Sequence, residues 1–517
     1  MRKIKTKTFL FLGIVTGLSF LVTLFLSRTL VVTDETRLVS SAWVGGFAFL
    51  FFNVAYLFSL SLVHPFLKAP VLGEVYVKDF PKVALVYPIR NEEHGLYERI
   101  DYSLEGNQLP DLDLWVLSDS DVEYEASEEK LILRLRGKYG ARIHYRRRPL
   151  PLERKQGNIK DFILTRPEYS YLYIVDADGM LPKGTVLKLL RKAQHPENQD
   201  VAIFQCLIRI AHARTWYARF EKIGTAFSQK FNFTAVQALF GRSISFGHHQ
   251  LVRREALQKI NLPKGLLSHD NWDTVLLDQM GYRVVFCPDV HAFDEAPSSY
   301  LEARARARRW SQGTLQGWPL LLKPRISLAS RFLVFYGIYL YLADLVFFFW
   351  VILGFLAHSA PTGELIHFEI DSIWMGLFTN SLLFGVLLFS FGVILFHKLV
   401  LVRTFRDFWE YLYELFFSTL VTLNNFFYVP LDLATLPFRK LAWKPMKKNP
   451  FEKMSFWNAA KDLWPGTALG LAGLYFSTHE TPYFIWQATP ILISLIGSIP
   501  SVYLTAKPIP KGFLAWI

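Results

Sequence analysis

Four short stretches of this sequence combine residue types suited to a charged, phosphorylated ligand. Asp176-Ala177-Asp178 sets two carboxylates one residue apart. Such a pair can present oxygens to a hard divalent ion, which takes few protein ligands and leaves room for substrate phosphates. Ser118-Asp119-Ser120-Asp121 and Pro88-Ile89-Arg90-Asn91-Glu92-Glu93 place further acidic groups after two other apolar runs. Lys155-Gln156-Gly157-Asn158 adds a cation, and its glycine permits close backbone approach. A nucleotide diphosphate would be held this way. An isolated Asp-x-Asp is as readily a strand-terminating turn. Acidic groups after three separate strands, with a lysine segment between the second and third, weigh against that account. Arg146-Arg147-Arg148 reads as a solvated face, which leaves Lys155 as the better cation.

Further along come Ser268-His269-Asp270-Asn271-Trp272, Glu295-Ala296-Pro297 and Arg304-Ala305-Arg306-Ala307-Arg308-Arg309-Trp310-Ser311-Gln312-Gly313. The arginine run also fits an amphipathic helix on anionic lipid, with Trp310 and Trp318 at the headgroup level. Both uses are compatible, because different faces of one helix meet different surroundings.

The elements that must position these residues follow from the apolar pattern. Short β-branched runs at Val83–Tyr87, Leu112–Leu117, Tyr171–Val175, Val201–Phe204 and Val284–Phe286 alternate with helical stretches such as Glu128–Arg136 and Thr185–Lys192. Near-continuous apolar strands separated by helices predict an α/β, Rossmann-like domain with a largely parallel sheet. Ligands of such sheets bind beyond the carboxyl ends of the strands, where the acidic groups fall.

Composition sets the rest of the chain. Its 517 residues are 51% hydrophobic and 20% charged, with 57 Lys and Arg against 44 Asp and Glu, a net charge of +13. That balance excludes a disordered chain and argues against a purely soluble enzyme. It suggests basic cytoplasmic loops of a membrane protein rather than a nucleic-acid-binding face. Two cysteines, Cys206 and Cys287, exclude a disulfide scaffold and a Cys-rich zinc module.

Charge-free apolar runs at Phe9–Leu26 and Trp43–Val63 predict an N-terminal transmembrane hairpin within residues 1–67. Spans are expected again at Phe332–Leu356, Ile373–Phe396, Leu463–Phe476 and Tyr483–Leu504, in a C-terminal region covering 326–517. The loop with Glu364, Glu369 and Asp371 lacks Lys and Arg. Basic residues instead cluster at the N-terminus, at Lys398, Arg403 and Arg406, from Arg439 to Lys453, and at Lys507 and Lys511. The positive-inside bias therefore puts the domain at 68–325, with an interfacial helix near 300–320, in the cytoplasm. Trp409–Pro437 is flanked by basic segments on both sides, so it is expected to lie in the interface or to re-enter. Asp344, with Tyr336, Tyr339 and Tyr341 nearby, sits inside a span, and an intramembrane carboxylate is a functional candidate. With Asn424, Asn425 and Asp432 these residues could line a polar path, or simply form interhelical hydrogen bonds.

The order of a strand-end aspartate, Lys-x-Gly-Asn, Asp-x-Asp, a final Asp and an Arg-x-x-Arg-Trp box before membrane spans resembles the membrane-bound, processive family-2 glycosyltransferases. Tyr145-Arg146-Arg147-Arg148, the Arg154–Asp161 segment, Phe246-Gly247-His248, Leu267-Ser268-His269-Asp270 and Glu295-Ala296-Pro297 are most similar to the glucans biosynthesis glucosyltransferase H family. The resemblance implies a GT-A-like domain inserted between transmembrane helices of a multi-pass bacterial inner-membrane protein. It also implies that the protein uses UDP-glucose, with Mg²⁺ or Mn²⁺, to build and export the β-1,2-glucan backbone of periplasmic glucans. The implied partners are the growing glucan, membrane lipids and periplasmic glucan-processing proteins, with no nucleic acid. Three departures stand out: Ser118-Asp119 replaces the usual paired aspartates, Arg306 replaces the Gln of the common box, and the chain is shorter than many members at both ends.

The resemblance also assigns roles. Asp119 accepts from the uracil, and Asp178, helped by Asp176, holds the metal. Lys155 belongs to the donor site, Arg309 with Arg306 clamps the diphosphate, and Trp310 stacks on a sugar. Asp270 is the general base of an inverting transfer, while the His269 ring packs on the helix that follows. Gly247 and His248, with His249, lie towards the acceptor, and Asp344 and Tyr341 towards a channel. Two other readings use the same residues: transfer of a single sugar to a lipid acceptor, and a non-catalytic polysaccharide channel.

Overall fold

The computed structural model describes residues 2–29, 37–68, 71–92, 94–358, 385–386, 388–435, 454–479 and 485–510. Glu93, the acidic loop with Glu364, Glu369 and Asp371, the first half of the 373–396 span, the basic 439–453 stretch and Lys511 lie outside the described residues.

Seven strands form one sheet in the order β3-β2-β1-β4-β6-β5-β7. They are β1 (Val83–Ile89), β2 (Leu112–Ser118), β3 (Ile143–Arg147), β4 (Tyr171–Ile174), β5 (Val201–Ile210), β6 (Gln250–Arg253) and β7 (Arg283–Asp294). β1 runs parallel to β2 and β4, β2 to β3, and β5 to β7. Only β6 is reversed, against both β4 and β5. Alternate side chains of β1 enter separate cores: Val83, Leu85, Tyr87 and Ile89 face one layer of helices, while Ala84 and Val86 face the other. Burial on both faces is why these strands read as continuous apolar runs.

β3 and β6 were not expected. The His-Tyr-Arg-Arg content of β3 hides its strand character, and β6 has only four residues. Both matter for position. The reversed β6 begins at Gln250 opposite Ile174 at the end of β4, and β7 ends at Asp294 opposite Ile210. The residues entering β6 and those leaving β1, β2, β4 and β7 therefore share one edge.

Among the described residues, three helices are long and apolar enough to cross a membrane, which marks the chain as a membrane protein. The stretches are Thr6–Arg28 in α1 (Arg2–Thr29), Ser41–Phe66, mostly in α2 (Arg37–Val63), and Leu328–Leu353 in the 31-residue helix Leu328–His358. Where the closing hairpin of spans was expected, helix Phe456–His479, carrying Pro465 inside, packs on the shorter helix Ile485–Ile496, which is followed by Ser498–Thr505; none of the three is among the helices long and apolar enough to cross. A Cβ on Gly470 would lie 2.8 Å from the Leu495 Cβ. The 409–437 segment bends: helix Phe405–Val421, capped by Thr404 and Asp407, breaks at Thr422–Asn424 and resumes as Asn425–Ala434.

Candidate active site

Three further helices carry the site: α3 (Arg154–Thr165), α4 (Asp270–Gln279) and α5 (Tyr300–Leu315). Lys155, in the first turn of α3, reaches across the sheet edge, where its ammonium donates to Asp176 and to the Gly247 carbonyl at 2.8 Å. Burial alone would raise the Asp176 carboxyl, but Lys155 and His248 outweigh it and hold the group down at about 2. Asp176 is therefore a carboxylate throughout the physiological range.

Gly247 is the meeting point of the site. It sits at φ 75°, in the left-handed region, and a Cβ there would fall 2.3 Å from Asp270 Oδ1. The carboxylate of Asp270, first residue of α4, thus abuts the residue whose carbonyl receives Lys155. Ser268 Oγ donates to Asp270 Oδ2 at 2.9 Å, which orients the candidate base. His269, the residue before α4, directs Nδ1 to Asp273 Oδ2 in the first turn of that helix at 2.7 Å.

Helix α5 packs against the segment that precedes α4. Gly313 packs so tightly on Ser268 that a Cβ would lie 2.6 Å from the serine Cβ. Arg309, one turn earlier on the same face, has no hydrogen bond or ion pair with any described residue. Burial and Arg306 push its basicity down, while Asp176 and Asp178 push it up. Arg306 instead donates to Glu221 at 2.6 Å and lies over the Trp310 ring at 4.7 Å. Trp310 is exposed apart from the Arg306 contact.

Asp119 is buried. Arg148 grips it with a two-pronged contact, Nε to Oδ1 and Nη2 to Oδ2, both 2.7 Å. The reading of Arg146–Arg148 as a solvated face is corrected here: Arg148 also reaches Asp161 at 2.8 Å, Arg146 donates to the Asn158 carbonyl at 2.8 Å, and Arg147 to Ser120 O at 2.7 Å. The unrecognised strand β3 carries Arg146 and Arg147 to the end of β2, and Arg148 follows it, its N–H bonded to the Ser118 carbonyl. Gly157 makes its close approach to the chain itself, since a Cβ would lie 2.2 Å from the Leu152 carbonyl oxygen.

Asp294 and Glu221 were not singled out from sequence. Asp294 accepts from His248 Nε2 at 2.8 Å and from His249 Nε2 at 2.7 Å. Burial lowers His248, but Asp294 and Asp176 overcome it and lift the imidazole to about 10. Four non-glycine residues near the site, Asn91, Glu153, Arg154 and His249, have positive φ of 49–56°. Such strain persists where surrounding structure holds it, and it concentrates at functional sites.

Two donor sets are available for a cation. Asp176 and Asp178 offer oxygens only, on a half-exposed rim, and suit a hard ion such as Mg²⁺ or Mn²⁺ that also binds phosphate. His248, His249 and Asp294 have ligand atoms within 4.8 Å of one another, but both imidazoles are already bonded to the carboxylate. The oxygen pair fits the expected ion.

The membrane-side candidates are mostly paired. Tyr336 donates to Asn53 Oδ1 at 2.8 Å and Tyr339 to Phe49 O at 2.7 Å, joining the Leu328–His358 helix to α2. Asn425 accepts from Tyr300 at 2.9 Å, and Asp432 receives the Arg304 fork at 2.9 and 3.0 Å. The Asp344 side chain has no hydrogen bond or ion pair among the described residues.

Comparison with known proteins decides the family. The sequence model described as "Glycosyl transferase family group 2" matches residues 171–429, half the chain, spanning the Asp-x-Asp turn, Asp270 and α5. The chain belongs to this family. As a family-group-2 glycosyltransferase it has the expected GT-A-like α/β domain with a mostly parallel sheet. It is 26% identical over 469 residues to a glucans biosynthesis glucosyltransferase H of Pseudomonas putida strain W619, covering 82% of this chain and 54% of that one. The protein of the same name from Pseudomonas aeruginosa strain LESB58 is 25% identical over 470 residues, with the same coverages. The chain spans about half the length of these relatives. A mannosyltransferase from Pyrobaculum calidifontis, solved with GDP-Man and Mn²⁺, overlaps 69% of this chain and 98% of its own at TM-score 0.49 and 14% identity.

Proposed function

We propose that the protein is an inverting glucosyltransferase that takes glucose from UDP-glucose and extends a β-1,2-glucan. In this reading it passes the product across the inner membrane from a cytoplasmic catalytic domain at 68–325. The observation that carries the reading is the junction at Gly247. A cation that serves the donor side and a carboxylate free to take a proton meet at one residue, with an unspent guanidinium on the helix packed behind them.

Each group then has a task. Lys155 keeps Asp176 ionised, and Asp176 with Asp178 would hold the divalent ion. When bound, that ion supplies Lewis-acid neutralisation of the departing diphosphate. Arg309 is free to fork onto phosphate oxygens as negative charge builds on UDP, a task to which guanidinium is better matched than ammonium. Arg306, held by Glu221 and stacked on Trp310, orients the indole as a platform for the acceptor sugar. Asp119, fixed by Arg148, retains lone pairs for the uracil imide.

Asp270 removes the proton from the attacking hydroxyl, and a single base serves a single displacement, hence inversion. His248 and Gly247 border the same space and contact the acceptor. Asp344 and Tyr341 begin a polar exit through the membrane helices. The relatives' name supports glucose and a glucan product.

The test uses the full chain in detergent with UDP-glucose. UDP release and a lengthening glucose oligomer are expected. Asp270→Asn abolishes both while UDP still binds. A labelled product that stays chloroform-soluble and never lengthens would instead favour a single transfer to lipid, and no UDP release from any sugar nucleotide would end the proposal.

A further inference from the structure

A single carboxylate on the far side of the sheet edge organises the junction just described. Asp294 ends β7, three strands from β4 in the sheet, yet both its oxygens turn back towards the site. Oδ2 accepts from His248 Nε2 and Oδ1 from His249 Nε2, consecutive residues that could both face one carboxylate only because His249 adopts φ 49°. His248 Nδ1 in turn lies 2.8 Å from the Phe246 carbonyl, closing the loop on itself.

The pinned loop touches both the donor-side carboxylates and the candidate base. His249 is fully buried, and its ring fills the space over the Asp-x-Asp turn, where a Cβ on Gly179 would lie 2.5 Å from His249 Cε1. His248 Nδ1 stands 3.8 Å from Asp176 Oδ2. Gly247 receives Lys155 on its carbonyl and presses its Cα against Asp270. Neither histidine could be displaced without moving the loop that separates the donor groups from the base.

We propose that Asp294 is a positioning residue, which fixes the 246–249 loop through His248 and His249 and so sets the spacing between Lys155–Asp176 and the Asp270 carboxylate. The idea rests on the glycosyl-transfer reading for its consequence in rate, but the placement of the loop can be measured without it.

Asparagine and alanine separate geometry from charge. In Asp294→Asn the amide oxygen still accepts from His249. The amide N–H donates to His248 Nε2, which can accept in the neutral tautomer that keeps Nδ1–H on Phe246. Asp294→Ala removes both contacts, and Asp294→Glu keeps the charge but displaces it.

The full chain in detergent is followed by UDP release from UDP-glucose and by hydrogen exchange of the 246–250 amides. Asn should keep kcat within about threefold of wild type, while Ala and Glu lose about tenfold or more in kcat at nearly unchanged donor KM, as displaced catalytic groups do. Exchange should speed up in Ala and Glu but not in Asn. If Ala does not fold, Glu carries the comparison.

Asn as impaired as Ala or Glu, unchanged exchange and rate in Ala and Glu, or a loss confined to donor KM would each overturn the proposal. A wild type that released no UDP would sink the glycosyl-transfer reading instead, leaving the exchange comparison to decide whether Asp294 pins the loop.

Discussion

Substituting Gly247 with alanine tests the junction in the most direct way. The new Cβ would start 2.3 Å from Asp270 Oδ1, far inside contact distance, at a backbone φ of 75°. The conformational part of the cost is about 1–2 kcal/mol, the usual penalty for an L-residue in the left-handed region. The steric part is relieved differently. The nearest atom is the tip of a side chain that is about a third exposed, so the carboxylate can swing away cheaply. Stability therefore suffers modestly while the base leaves its place. A displacement of about 1 Å at a reacting group costs on the order of 100-fold in rate. Gly247→Ala is thus expected to lower kcat about 100-fold with donor KM changed by less than about threefold and unfolding free energy reduced by about 1–2 kcal/mol. Steady-state UDP release, UDP binding by calorimetry and chemical denaturation read the three quantities. If kcat stays within about threefold of wild type, Asp270 does not act from this position; if UDP binding falls with kcat, Gly247 serves the donor and not the base.

Other substitutions probe neighbouring groups. Arg148→Leu leaves Asp119 buried and unpaired, so denaturant unfolding should register a loss of about 3–5 kcal/mol; a change within about 0.5 kcal/mol would restore the solvated-face account. Arg309→Ala should reduce kcat about 100- to 1,000-fold with no shift in melting temperature, because the guanidinium bonds to nothing in the described fold but is aimed at developing charge; equal losses of rate and stability would contradict this. His248 binds its proton more tightly folded, near pH 10, than unfolded, near 6.5. Its contribution to stability is therefore complete below about pH 6.5 and is lost as pH rises through 10. Melting temperature measured from pH 6 to 10 should decline more steeply in wild type than in His248→Gln, and parallel curves would refute the assignment.

The legible part of the site consisted of groups whose local chemistry announces itself. Asp176-Ala177-Asp178, Lys155 and Asp270 gather at one sheet edge, and the Asp-x-Asp turn follows a strand that the apolar pattern located, whereas the helices carrying Lys155 and Asp270 were not read from it. What was missed lay on the two unrecognised strands or answered to them. β3 is half polar because its last residues are connectors, so Arg148 looked like surface until β2 paired with it. β6 is four residues long, and its reversal alone brings His248 and His249 beside Asp176. Asp294 lies 45 residues from His249 in sequence, a separation across which no local pattern carries information.

Periodicity and composition by themselves determined that an α/β domain with strand-end acids is joined to apolar helices, because hydrophobic period and length are local properties of the chain. Which carboxylate faces which cation was decided only in three dimensions. Strand order, the reversal of β6 and the close contacts at Gly247 and Gly313 bring charges together across long stretches of chain, and the low dielectric of the folded edge makes those encounters strong.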